Sequence, residues 1–189
     1  SPPVWPAYVF DGASDRAYGE DHAVSPLGVY GQTKAAGDAL VANVPRHYIV
    51  RTSWVIGEGR NFVRTMASLA ERGIDPDVVD DQVGRLTFTT DLARGIRHLA
   101  TGHAPYGTYN LTGSGEPASW AEVARAVFDR LGHDPARVRP VSTDAYYAAA
   151  QAPTAPRPRN SVLDLDLIAQ TGFVPVDWRH GLDAYLDVG

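Results

Sequence analysis

Tyr30 and Lys34 stand four residues apart, which places both on one face of a helix. A free tyrosine, with a pKa of about 10, exchanges protons poorly near neutral pH. A neighbouring ammonium favours a phenolate and eases that exchange. Such a pair suits carbonyl reduction: the phenol donates a proton to the carbonyl oxygen while a nicotinamide delivers hydride to carbon. The ammonium can also hydrogen-bond a ribose hydroxyl of that cofactor. Spacing alone is a weak signal, because Tyr and Lys at helical spacing also decorate solvated faces.

The elements that must carry this pair can be traced along the chain. Tyr8-Val9-Phe10 is a short β-prone run closed by the turn pair Asp11-Gly12. Ser25-Pro26 reads as N-cap and first helical residue of a helix that runs to Val44, ahead of Pro45. Ala35, Ala36, Ala39, Leu40 and Val44 are candidates for its buried side. His47 to Thr52 follows as a strand, with Gly57 and Gly59 in a loop beyond it. Asn61 to Arg72 reads as a helix with Phe62, Met66, Leu69 and Ala70 on one face. Asp77 to Asp80 is a strand candidate, and Thr89-Thr90-Asp91 opens a helix through Leu92, Ile96 and Leu99. Gly107 to Thr112 is another strand. Ser119 and Glu122 form a capping box for a helix reaching Leu131. Ala148 to Pro158 reads as a loop, and Leu165 to Thr171 and His180 to Val188 as the last helices. Strands alternating with helices predict an α/β architecture with parallel pairing.

Composition narrows the partners. The 189 residues suffice for one substantial domain or two small lobes, and 44% apolar with 21% charged residues is ordinary for a soluble globular chain. The chain has no cysteine, which excludes disulfides, thiolate metal sites and cysteine nucleophiles and fits the cytoplasm. No apolar run predicts a membrane span, and Ser1 to Pro6 lacks the pattern of a signal peptide. A net charge of -5 argues against nucleic acid, so an anionic ligand would need local arginines. No metal site is expected.

The flanks of the pair carry a resemblance. Val29-Tyr30-Gly31-Gln32-Thr33-Lys34-Ala35-Ala36-Gly37-Asp38 resembles the active-site helix of the extended short-chain dehydrogenases. Tyr8-Val9-Phe10-Asp11-Gly12 is similar to the strand and turn before that helix, and Arg51-Thr52-Ser53-Trp54-Val55 to the next strand of the dTDP-4-dehydrorhamnose reductase branch. Asn61-Phe62-Val63, Asp81-Gln82 with Gly84 and Thr87, Asp91-Leu92-Ala93, Gly113 to Glu116 with Ser119-Trp120, and Arg157 to Leu163 continue the likeness in order.

The resemblance implies an NADPH- or NADH-dependent oxidoreductase that reduces the 4-keto group of dTDP-4-dehydro-L-rhamnose to dTDP-L-rhamnose in nucleotide-sugar biosynthesis. Tyr30 would be the general acid and Lys34 its electrostatic and ribose-binding partner. Thr52 and Ser53 lie where open α/β sheets bind ligands, or else cap a turn. Trp54 would seat the sugar beside the nicotinamide, or serve as a core aromatic at a strand end. Asn61 and Phe62 would line the nucleotide pocket, although Asn61 also suits a helix cap. Gln82 and Thr87 are pocket candidates, and Arg85, Arg157 and Arg159 are candidates for a diphosphate, since guanidinium forks match phosphate oxygens.

Two departures qualify this. No glycine fingerprint opens a strand-turn-helix here; Gly113-Ser114-Gly115 follows a strand but is trailed by Pro117. In the family that fingerprint, which cradles the cofactor pyrophosphate, lies well upstream of the segment where this chain starts. The family also carries a hydroxyl residue and an acid where this chain has Pro6 and Ala7. The expectation is an incomplete Rossmann-like parallel sheet with a smaller substrate lobe. Residues 1–56 would be the remnant of the dinucleotide-binding domain and 57–189 mainly the substrate lobe, with 87–112 returning to the sheet. The isolated chain is expected to be inactive, to hold the cofactor poorly, and to pair with another chain through an open sheet edge. A binding module without turnover, or a related nucleotide-sugar epimerase or dehydratase, are the alternatives.

Overall fold

Alternation of strand and helix produces mostly parallel pairing in the computed structural model, which describes residues 4–102, 104–150 and 156–187. In chain order the described residues form β1 (Val4–Pro6), α1 (Val29–Ala42), β2 (Tyr48–Thr52), β3 (Val55–Ile56), α2 (Phe62–Glu71), β4 (Asp77–Val79), β5 (Val83–Gly84), β6 (Thr87–Phe88) and α3 (Thr89–Thr101). There follow β7 (Gly107–Asn110), β8 (Ala118–Ser119), α4 (Trp120–Arg130), β9 (Arg139–Val141), α5 (Thr143–Ala150), α6 (Asp166–Gln170) and α7 (Trp178–Asp187). The main sheet is parallel, in the order β1-β2-β7. β3 pairs with β6 and β4 with β9, both in parallel, while β5 and β8 pair antiparallel.

The largest core lies around α4. Its sequence places Val123, Ala124, Val127 and Phe128 on one stripe, and all four are fully buried. Opposite stand Val63, Met66 and Ala70 of α2, with Trp178 and Leu182 of α7 completing the cluster. Truncating a side chain such as Phe128 there costs about 3–5 kcal/mol. A second cluster of Val50, Leu92, Leu99 and Leu111 holds α3 near the main sheet. The capping box forms as predicted, with Ser119 Oγ accepting from Glu122 N–H and the Glu122 carboxylate accepting from Ser119 N–H.

The structure corrects several element expectations. The first strand is Val4–Pro6, and Ala7–Val9 form a 3-10 turn instead of a strand. Pairing ends at Pro6 opposite Thr52, where β2 itself stops, so Tyr8 to Phe10 have no ladder to join. Val9 and Phe10 instead pack with Tyr18 and Leu163. Helix α1 begins at Val29 behind an extended Gly28, and Ser25 does not cap it; its N–H donates to the Val9 carbonyl. Most of the side of α1 expected to be buried is open: Ala35 packs on the Val9 and Phe10 cluster, but Leu40 is 74% and Val44, beyond the helix end, 51% exposed, and only Gly31 and Asp38 of this helix are buried. The stretch read as a loop from Ala148 is preceded and partly occupied by α5, which ends at Ala150; residues 151–155 lie outside the described residues. The last helix begins two residues earlier than expected, at Trp178, and Val188 is also outside the described residues. Strand β9 was not foreseen; it is short and contains Pro140.

Candidate active site

Helix α1 sets Lys34 Nζ 5.4 Å from the centroid of the Tyr30 ring. Tyr30 is 57% exposed. The ring of Tyr8 meets that of Tyr30 edge-on at 6.0 Å, and Arg157 Nη1 donates to Tyr8 Oη at 3.3 Å. The residue after Tyr30 must be small. A Cβ on Gly31 would stand 2.2 Å from the Tyr8 carbonyl oxygen, so the 3-10 turn and α1 approach this closely only with glycine there.

A buried ion pair fixes α1 on the sheet. Arg51 Nε of β2 donates to Asp38 Oδ2 at 3.0 Å, with both side chains under 10% exposed, and Arg51 Nη1 donates to the Glu20 carbonyl. Burial pushes the Asp38 carboxyl up, opposed by the charge and hydrogen bond of Arg51. Burial also raises the Glu20 carboxyl, against the Asn110 N–H that donates to it. Both carboxyls therefore depend on donors of the sheet: the loop after Tyr18 is tied to β7 and α1 to β2.

At the carboxyl end of β2, Thr52 and Ser53 are buried and their hydroxyl oxygens have no partner. Trp54 follows with φ 47°, in the left-handed region that costs a residue with a side chain about 1–3 kcal/mol. Its ring stacks on Trp120 at 3.7 Å and 16°. On Gly84 a Cβ would sit 2.7–3.0 Å from the Trp54 ring. Phe62 packs on Trp120 at 4.5 Å.

Beside these rings lies a cavity of about 430 Å³ lined by Phe62, Thr65, Met66, Asp77, Val78, Val79, Gln82, Trp120, Tyr146, Tyr147 and Arg157. Of the residues singled out in the sequence, Phe62, Gln82 and Arg157 meet at this cavity, and Arg157 links it to Tyr8 and hence to Tyr30. Gln82 is oriented by donating from Nε2 to Thr143 Oγ1.

The others lie elsewhere. Asn61 caps α2 by accepting from Arg64 N–H, and its amide donates to Gly57 O and Tyr185 Oη. Arg85 donates to the carbonyls of Gly115 and Leu163, and burial pulls its guanidinium pKa down. Thr87 is buried, its hydroxyl without a partner, and its N–H donates to Trp54 O. Arg159 is exposed and engages β5 through its carbonyl. Tyr8, Trp120, Tyr146 and Tyr147 were not assigned to the site from sequence. Tyr8 and Trp120 did stand within the quoted motifs, the one signal that pointed to them.

A second cavity of about 460 Å³ lies between α3 and α7, lined among others by Arg64, Phe88, Asp91, Arg94, His180 and Tyr185. Asp91 and Gly113 of the quoted motifs line it, but none of the candidate site residues does.

The parallel sheet, with α1 and its Tyr30 and Lys34 packed beside it, is a Rossmann-type α/β fold. Residues 6–189 match the family described as the RmlD substrate binding domain, and the chain belongs to that family. It is 42% identical over 176 residues to the dTDP-4-keto-6-deoxy-D-glucose reductase of Streptomyces niveus, covering 92% of this chain and 58% of that protein. It is 41% identical over 181 residues to the dTDP-4-dehydrorhamnose reductase of Mycolicibacterium smegmatis, covering 93% of this chain and 53% of that one. The crystal structure of dTDP-4-dehydrorhamnose reductase from Bacillus anthracis, in complex with NADP, superposes with a TM-score of 0.87 at 33% identity, over 98% of this chain and 64% of that chain. The chain thus spans between 53% and 64% of the length of these relatives.

Proposed function

We propose that this chain is the substrate-binding part of an NAD(P)H-dependent reductase that converts dTDP-4-dehydro-L-rhamnose to dTDP-L-rhamnose in the cytoplasm. Residues 1–56 contribute the active-site helix and one edge of the dinucleotide domain. Residues 57–189 contribute mainly the substrate lobe, with 87–112 returning to the sheet. The observation that carries the proposal is the continuous contact from cavity to pair: Arg157 lines the cavity and donates to Tyr8, whose ring abuts Tyr30.

In this reading the nucleotide enters the cavity with its base against Phe62 and Trp120, while Gln82 offers polar recognition. Arg157 pairs with the diphosphate, as guanidinium does with phosphate oxygens. The sugar then extends past Tyr8, and Tyr30 Oη donates the proton to the 4-keto oxygen. The Lys34 ammonium stabilises the phenolate left behind. A nicotinamide dinucleotide, when bound, supplies hydride to the carbonyl carbon. The buried, partnerless hydroxyls of Thr52 and Ser53 at the carboxyl end of β2 fit a polar ligand end there, as does Lys34 for a ribose. The chain has no glycine fingerprint for the pyrophosphate, so stable cofactor binding needs more protein, added along the open edge of β1.

A second reading, a binding module of the same family without turnover, is favoured by Pro6 and Ala7 standing where the family has a hydroxyl and an acid. Thermal melts with dTDP-rhamnose separate these from an unrelated function. At a ligand concentration of a hundredfold Kd the gain is about 2.7 kcal/mol, seen as a rise in Tm. A rise no larger than that with AMP would contradict both readings. A further rise with NADPH, once the chain is joined to a dinucleotide-binding half, favours the reductase over the module.

A further inference from the structure

Trp120 lines the cavity, whereas Trp54, stacked behind it at 3.7 Å, does not. Trp54 is the only described residue other than glycine with a positive φ, at 47°. Its ring is sandwiched between Trp120 and Gly84, where a Cβ would intrude to 2.7 Å. The Trp54 carbonyl also accepts from Thr87 N–H, tying its backbone to the start of β6. A strained backbone held from two sides marks a place where position matters. We propose that Trp120 is a binding residue for the nucleobase and that Trp54 and Gly84 are positioning residues that hold it, so that filling the cavity shifts the stacked indole pair. This rests on the nucleotide-sugar reading of the cavity and deepens it. A base pressed against the cavity side of Trp120 loads the stack, and the strained turn at Trp54 transmits that load toward Ser53 and the carboxyl end of β2.

The test uses the chain itself and dTDP. Indoles stacked this closely couple their transitions and give an exciton couplet in far-ultraviolet circular dichroism. The expected result is a couplet in the free chain that changes in amplitude on titration with dTDP, along the same saturation curve as the heat of binding. Trp54→Leu removes the couplet and weakens dTDP binding about two- to tenfold, although residue 54 does not line the cavity. Gly84→Ala, which displaces the Trp54 ring without deleting an indole, diminishes the couplet in the same direction. Binding of dTDP with an unmoved couplet, or wild-type affinity in Trp54→Leu, would overturn this inference alone. No heat of dTDP binding to the wild-type chain would overturn the nucleotide-sugar reading, and the inference with it.

Discussion

Gly31 shows how one missing side chain lets the 3-10 turn approach the helix that carries Tyr30 and Lys34. The Tyr8 carbonyl lies over the first turn of α1, where a Cβ would meet it at 2.2 Å. Gly31→Ala therefore forces the 3-10 turn and the helix apart, at a cost of about 1–3 kcal/mol. A lower Tm in thermal melts is the expected outcome, and an unchanged Tm would contradict the close approach. Glu20 gives a pH test. Burial raises its carboxyl above the ordinary value of 4.5, against the Asn110 N–H and then the Arg51 charge. A carboxyl raised in the folded state adds stability below its unfolded pKa, and that contribution is lost as pH rises through the raised value. Glu20→Gln should therefore gain on the wild type as pH climbs from 4.5 toward neutrality, measured as the difference in Tm. A difference moving the other way would contradict the assignment. That Tyr30 and Lys34 share one helix face was legible from their spacing. Met66, Tyr146 and Tyr147 were not, because a cavity gathers side chains from α2 and α5 that no local pattern connects.

Elements with strong periodicity declared themselves. Helices α2, α3 and α4 lie within two residues of the bounds read from their apolar stripes and caps. Helix α1 did not behave as its composition suggested, because the apolar residues of its middle and end are exposed in this chain. Besides the contact of Ala35 with the Val9 and Phe10 cluster, a charge holds α1: Asp38 on Arg51 of β2. Removing one partner of a buried pair leaves the other uncompensated, at a cost of about 3–5 kcal/mol. Asp38→Ala should lower the urea midpoint accordingly, and Asp38→Glu should recover part of it; a midpoint unchanged in Asp38→Ala would show that α1 is held otherwise. Strand β9 and helix α5 escaped the sequence reading for a physical reason. Arg139-Pro140-Val141 is short and interrupted by proline, and Thr143 to Ala150 runs into an Ala- and Pro-rich stretch that masks its helical character.

At the scale of the molecule, the described residues form a three-stranded parallel sheet, β1-β2-β7, and three two-stranded pairs among the helices. β1 has a strand on one side alone, and α1 next to it exposes Val29 at 75% and Leu40 at 74%. An open strand edge beside an exposed apolar helix is the surface on which the dinucleotide half of the proposed reductase would dock. The alternation of strands and helices was enough to read the architecture, and a return of 87–112 to the sheet was expected; the register that sets Tyr48 against Gly107 required the three-dimensional structure. The most direct test joins the chain behind the dinucleotide-binding half of the Bacillus anthracis relative and follows NADPH absorbance with dTDP-4-dehydro-L-rhamnose. The expected result is NADPH consumption that falls about 10²–10⁴-fold in Tyr30→Phe while dTDP binding is retained. Folded protein that binds dTDP and NADPH yet oxidises none, or a Tyr30→Phe variant as fast as the wild type, would contradict it.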